Sequence, residues 1–184
     1  LRPRREIARL VTIRWLAATL WPLAASAQPA PASLPPPVTP ACISSPFGPR
    51  NLPGTRASKF HTGIDFPAPA GAWVTAVAAG EVLEIRRLGP DGLEVDLRHD
   101  DSGHATFVTR YAHLGSVSPM LANGLRRVAQ GARLGRVGHT GITYGTHVHF
   151  EVRVAGIPID PEPFFVVPRC GASHGDHDAH LGVR

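Results

Sequence analysis

The sequence predicts an all-β protein in which antiparallel sheets form a barrel-like sandwich with long loops around a cleft. Short runs that alternate apolar and polar residues recur along the chain, and helical periodicity is nearly absent. Gly and Pro number 19 each, a load that supplies turns between short strands. Hydrophobic residues make up 43% of the 184 residues and charged residues 18%, a globular balance with enough chain for one core.

Residues 1–27 read as a secretory signal. The start is Arg-rich, Trp15 to Leu23 is apolar, and Ala25-Ser26-Ala27 forms an A-x-A cleavage site. The apolar run is short for a membrane span, so no stable span is expected after cleavage, with an uncleaved anchor as the alternative reading. This segment carries five of the 19 basic residues and one of the 14 acidic ones, so the net charge of +5 shrinks to +1 without it. A nucleic-acid partner would need a basic patch on the folded domain. Only Arg126, Arg127, Arg133 and Arg136 hint at one, and they read as a solvated loop. No nucleic-acid partner is expected.

Residues 28–41 are dominated by Pro and Ala and read as a stiff, extended linker. The domain is expected over 42–168. It opens with the turn residues Ser45 to Arg50 and a polar loop from Asn51 to Lys59. His61 to Asp65 is read as one strand, with His61, Gly63 and Asp65 on one face and Ile64 and Phe66 on the other. Gly63 is expected to leave room between the His and the carboxylate. After the Pro67–Gly71 turn, Trp73 to Ala79 is a short apolar strand. Glu81 to Leu88 alternates, Pro90-Asp91-Gly92 is a hairpin turn, and Leu93 to Leu97 alternates again. Asp100 to Gly103 is a turn, and Ala105 to His113 is a further strand. Leu125 to Val128 is flanked by turn residues, and Leu134 to Gly138 is a short strand. A loop from Thr140 to Gly145 then delivers the chain to Thr146–Val152.

That last stretch alternates strictly. His147, His149 and Glu151 fall on one face, and Val148, Phe150 and Val152 on the other. One face can enter a core while the other holds two imidazoles. Together with the His61–Asp65 stretch, this offers two His and one Asp on rigid strands. Such a donor set suits zinc, with three protein ligands and an open position for water. Glu151 is either a partner for a ligand His or a solvated strand residue. His99, His104 and His139 lack partners at useful spacing and read as surface or loop residues.

Ile157 to Val167 closes the domain. The chain has two cysteines, Cys42 and Cys170, one at each end of it. In an oxidising compartment a disulfide is the simplest reading, and it requires the two ends to meet. Two free thiols, or Cys42 capping a metal, are the alternatives. Residues 169–184 form a His-rich tail, expected to be disordered.

The motifs Phe60–Phe66, Tyr111-Ala112-His113-Leu114 and His147–Val152 occur in that order. They resemble those of the lysostaphin/LytM-type zinc peptidoglycan endopeptidases. Ser45–Arg50, Pro67–Val82 and Val128–Gly141 are similar to the framework between them, so the resemblance covers about 42–166. It implies that His61, Asp65 and His149 bind Zn2+ and that His113 and His147 act on the substrate. His147 is then expected as general base, with His113 hydrogen-bonding the water or the developing oxyanion and later helping to protonate the leaving amine. The implied activity is hydrolysis of peptide cross-links in bacterial peptidoglycan, D,D-endopeptidase-like, by a monomer in the periplasm or outside the cell. Tyr144 and Thr146 depart from the family pattern beside the cleft and bear on substrate preference. The alternative is a non-catalytic cell-wall-binding or hydrolase-activator module of the same fold, against which the complete motif set argues. A biotinyl-type carrier would need a Lys in a hairpin turn, and the single lysine, Lys59, lies elsewhere.

Overall fold

In a computed structural model, residues 33–51, 58–100 and 106–171 are described. The expected leader (1–27) and nearly all of the His-rich tail lie outside them. The alternating runs become β1 (Gly48–Pro49), β2 (Phe60–His61), β3 (Ile64–Pro67), β4 (Trp73–Thr75), β5 (Gly80–Arg86) and β6 (Leu93–His99). There follow β7 (Phe107–Val117), a helical turn α1 (Pro119–Ala122), β8 (Arg127–Val128), β9 (Arg133–Val137), β10 (His147–Val154) and β11 (Ile157–Ile159). Ser118 caps the helical turn by accepting from the Leu121 N–H, and Pro119 needs no donor there. Among the described residues, no helix is long and apolar enough to cross a membrane.

The paired strands are antiparallel. The main path runs β11-β10-β7-β6-β5-β8, with β3 added to β10, and β9 joining β7 to β4. The path stays open, so the architecture is a sandwich rather than a closed barrel. Strand β10 organises it. Its first half pairs with β3, its second half with β11, and its other edge with β7 from His149 onward. The alternation read from the sequence explains why. Val148 and Phe150 are fully buried against Phe66, Tyr111 and Phe165, with aromatic centroids 5.3–6.4 Å apart.

Several boundaries differ from expectation. The stretch from His61 to Asp65 is not one strand. It breaks at Thr62-Gly63, so that β2 pairs with β1 and β3 with β10. Strand β4 ends at Thr75, and beyond it the Val77 backbone is bonded by side chains. Its N–H donates to the Tyr111 hydroxyl (3.0 Å), and its C=O accepts from Gln130 Nε2 (2.9 Å). Strand β7 does not end at His113. It turns there, with His113 in the left-handed region (φ 62°), and runs on to pair with β9. Residues 33–41, within the stretch read as linker, pack on the domain. Val38 is buried, and Pro37 and Leu34 exchange backbone hydrogen bonds with Thr75 and Phe164.

Three readings of single residues also change. His99 is buried, not on the surface. Its Nδ1–H donates to Ala79 O (2.7 Å), Thr109 Oγ1 lies 2.8 Å from Nε2, and its ring stacks on Phe107. Arg133 and Arg136 belong to β9 rather than a loop, and their guanidinium groups lie 4.5 and 3.7 Å from the Trp73 ring. Glu94 and Asp96 alternate with the core residues of β6 yet are buried as well. Arg110 explains this by clasping Asp96 with two bonds of 2.9 and 2.8 Å.

Cys42 and Cys170 form a disulfide with Cα atoms 5.0 Å apart. Backbone bonds from Ile43 N–H to Pro168 O and from Cys170 N–H to Ile43 O hold the same two ends together.

Candidate metal centre

The centre is built where β2, β3, β7 and β10 meet. Register puts Asp65 opposite His149 in the β3–β10 ladder, and Ala112 opposite His149 on the other side. His113 follows Ala112 directly. Gly63 is what lets β10 come so close. A Cβ there would stand 2.2 Å from Phe150 O and 2.9 Å from His149 Cε1. The glycine therefore makes room for the β10 backbone and the His149 ring, not for a gap between His61 and Asp65.

Three donor atoms converge. His61 Nε2 is 3.0 Å from Asp65 Oδ1 and 2.9 Å from His149 Nδ1, and His149 Nδ1 is 3.1 Å from Asp65 Oδ1. All three residues are buried. The outer nitrogens fix the tautomers. His61 Nδ1 sits 2.7 Å from the Pro46 carbonyl, and His149 Nε2 sits 3.1 Å from Glu151 Oε1, so each outer nitrogen carries the proton. Two imidazole lone pairs and a carboxylate oxygen then face one another. Three acceptors cannot satisfy each other, and a cation must be shared among them. Without a metal that cation is a proton. Burial pulls the His149 imidazole down, but hydrogen bonds to Asp65 and Glu151 outweigh it and raise its pKa to about 9. Burial likewise opposes the Asp65 charge, yet bonds with His149 and His61 hold its carboxyl well below the ordinary range. These are the three side chains that could hold a metal ion among the described residues.

Glu151 is not solvated. It is 1% exposed, and besides His149 it accepts from Thr62 Oγ1 (2.5 Å) and Arg153 Nε (2.6 Å). Burial favours its neutral form, but these donors prevail and its pKa falls to about 2.

His147 and His113 stand beside the triad. His147 Nε2 is 3.6 Å from Asp65 Oδ1, and its Nδ1 is 3.0 Å from Gly145 O. The His113 ring centroid is 4.9 Å from that of His147, and His113 Nδ1–H donates to Thr140 O at 2.8 Å. Burial lowers both pKa values, that of His113 to about 4, with the positive charge of His149 adding to the effect. Both rings are therefore neutral at pH 7 and keep a bare Nε2. The cleft around these groups has a volume of about 560 Å3, with Phe60, Ile142 and Tyr144 among its apolar lining and Arg50 and Arg153 among its cationic lining.

The sequence reading missed two kinds of contributor. Pro46 and Thr140 act through backbone carbonyls, which no side-chain pattern reveals. Arg50 reaches the site by a side chain, with Nη2 2.7 Å from Asp65 Oδ2.

Fold and cluster together define an antiparallel β protein with a His-Asp-His group that could hold a metal ion, flanked by two further histidines. The chain belongs to peptidase family M23, whose description matches residues 59–161. It is 40% identical over 119 residues to the DD-carboxypeptidase/endopeptidase Mpg of Neisseria meningitidis, covering 65% of this chain and 26% of that protein. It is 37% identical over 119 residues to the peptidoglycan DD-endopeptidase ShyA of Vibrio cholerae, covering 64% and 26%. The chain thus spans about a quarter of the length of these curated relatives. Among solved structures, a zinc-containing peptidase from Vibrio cholerae matches with a TM-score of 0.60 and 31% identity, over 74% of this chain and 40% of that one. The catalytic domain of lysostaphin from Staphylococcus simulans matches with a TM-score of 0.57 and 25% identity, over 67% and 91%.

Proposed function

We propose that this chain is a zinc endopeptidase that hydrolyses peptide cross-links of bacterial peptidoglycan outside the cytoplasmic membrane. The observation that carries the reading is the convergence of His61 Nε2, Asp65 Oδ1 and His149 Nδ1, each within 3.1 Å of the others. Ligands about 2.0–2.2 Å from a tetrahedral zinc stand roughly 3.3 Å apart, so a slight opening of this triangle suits the ion. Two nitrogens and one carboxylate, with no thiolate, are the donor set of hydrolytic zinc sites. The names of the relatives supply the substrate class.

When bound, zinc would lend Lewis acidity to a water and to the scissile carbonyl. The chain supplies the rest. His147 has a bare Nε2 beside the triad and takes the proton of the attacking water, later delivering it to the leaving amine. His113 is tethered through Nδ1–H to Thr140, so its Nε2 begins as an acceptor. That favours orienting the water over donating to an oxyanion. Glu151 keeps His149 in the tautomer that offers Nδ1. The test is digestion of purified sacculi with and without chelator, followed by muropeptide analysis. Release of peptides that stops with chelator, and in His149→Ala, is expected. Equal release by the chelated protein or by the variant contradicts the reading.

A further inference from the structure

We infer that Arg50 is a positioning residue for the metal centre. It holds the outer oxygen of Asp65 so that the carboxylate turns a single oxygen toward His61 and His149. The inference rests on reading the triad as a metal site.

The geometry comes from the opening segment of the domain. Arg50 Nη2 lies 2.7 Å from Asp65 Oδ2 and 2.6 Å from Ser45 Oγ, so one nitrogen ties the carboxylate to that segment. The same segment grips the Asp65 backbone. Asp65 N–H donates to Ser45 O (3.0 Å), and Ser44 donates to Asp65 O through its N–H (2.9 Å) and its Oγ (3.2 Å). Pro46 O accepts from His61 Nδ1–H, as described above. Residues 44–50 therefore orient two of the three donor residues. The Arg50 backbone is itself fixed by its N–H bond to Lys59 O (2.8 Å). Arg50 Nε is buried without a hydrogen-bond partner among the described residues, a cost accepted while Nη2 bridges Ser45 and Asp65.

Two effects compete. A guanidinium near a dication repels it and lowers its affinity. A carboxylate held by a charge-assisted bond cannot swing, or offer both oxygens and fill the position meant for water. The second effect dominates because Oδ2 is bonded to Arg50 while Oδ1 alone joins the triangle. Lysine would keep the charge, and because Nη2 alone makes both bonds, its ammonium can replace them only as far as its shorter side chain reaches.

The test is metal binding by the metal-stripped full chain, measured by competition with a chromophoric chelator. It is paired with the visible spectrum of the Co(II) form, which reports coordination number. Arg50→Ala is expected to bind zinc about 10–100-fold more weakly than wild type and to shift the Co(II) bands toward higher coordination. Arg50→Lys should recover part of the affinity and of the wild-type Co(II) spectrum, since an ammonium can make the same single-nitrogen contact. Should Arg50→Ala not fold, Ser45→Ala, which loosens the same guanidinium, should show the same spectral shift with a smaller affinity loss. Variants that bind as well as or better than wild type, with an unchanged Co(II) spectrum, overturn the inference. A wild-type chain that binds no metal overturns the metal-site reading instead.

Discussion

His149 and Asp65 stand opposite one another in the β3–β10 ladder, and their facing atoms, Nδ1 and Oδ1, are 3.1 Å apart. A one-residue slip of register would turn one of them into the core. The centre therefore depends on the same pairing that buries Val148 and Phe150. Its chemistry depends on which ring nitrogen of His149 faces Asp65, and that is decided on the far side of the ring by Glu151.

Replacing Glu151 tests this directly. Glu151→Gln preserves shape but removes the charge that holds the Nε2 proton. Metal affinity should fall about tenfold or more. Chelator competition measures it, and unchanged affinity would show that Glu151 serves only packing.

Metal-free protein should be most stable near pH 6.5, the ordinary value from which its buried histidines depart. His99 and His113 are lowered, chiefly by burial, so the unfolded chain binds more protons between 6.5 and the folded values. Their stabilisation is complete above 6.5 and is lost as pH falls, for His113 toward about 4. His149 is raised to about 9, so its contribution is complete below 6.5 and is lost as pH rises through that value. Urea unfolding across this range should give a bell. His99→Phe should flatten part of its acid side, because protonated His99 can no longer accept from Thr109.

Reduction of Cys42–Cys170 should weaken the fold without altering the triad's residues. The bridge closes a loop across a sequence separation of 128. In the chain-entropy model its loss costs about 5 kcal/mol. Urea midpoints of oxidised protein and a Cys42→Ser/Cys170→Ser variant give the comparison, and equal midpoints would contradict it.

What was legible in the sequence was local. The period-two pattern of 146–152 displayed one face for the core and one for chemistry, and both are found. The His61 and Asp65 pair was legible through its spacing, although the strand breaks between them. What could not be read depends on neighbours brought in by register. His99 had no partner in sequence because Ala79 just precedes β5 and Thr109 lies on β7. Arg133 and Arg136 looked solvated until the β4–β9 ladder set Trp73 opposite Arg136. Arg50 was hidden for the same reason, since its target is fixed by the isolated bridge between Ser45 and Asp65.

The central claim is that one divalent ion, held by His61, Asp65 and His149, makes this chain a cell-wall endopeptidase. Zinc titration of the metal-stripped full chain, followed by muropeptide release from sacculi, tests it most directly. Release should rise from nothing to a plateau at one equivalent, and should stay absent in Asp65→Ala at every zinc concentration. Release by the stripped chain, or a plateau in the variant matching wild type, would contradict the account.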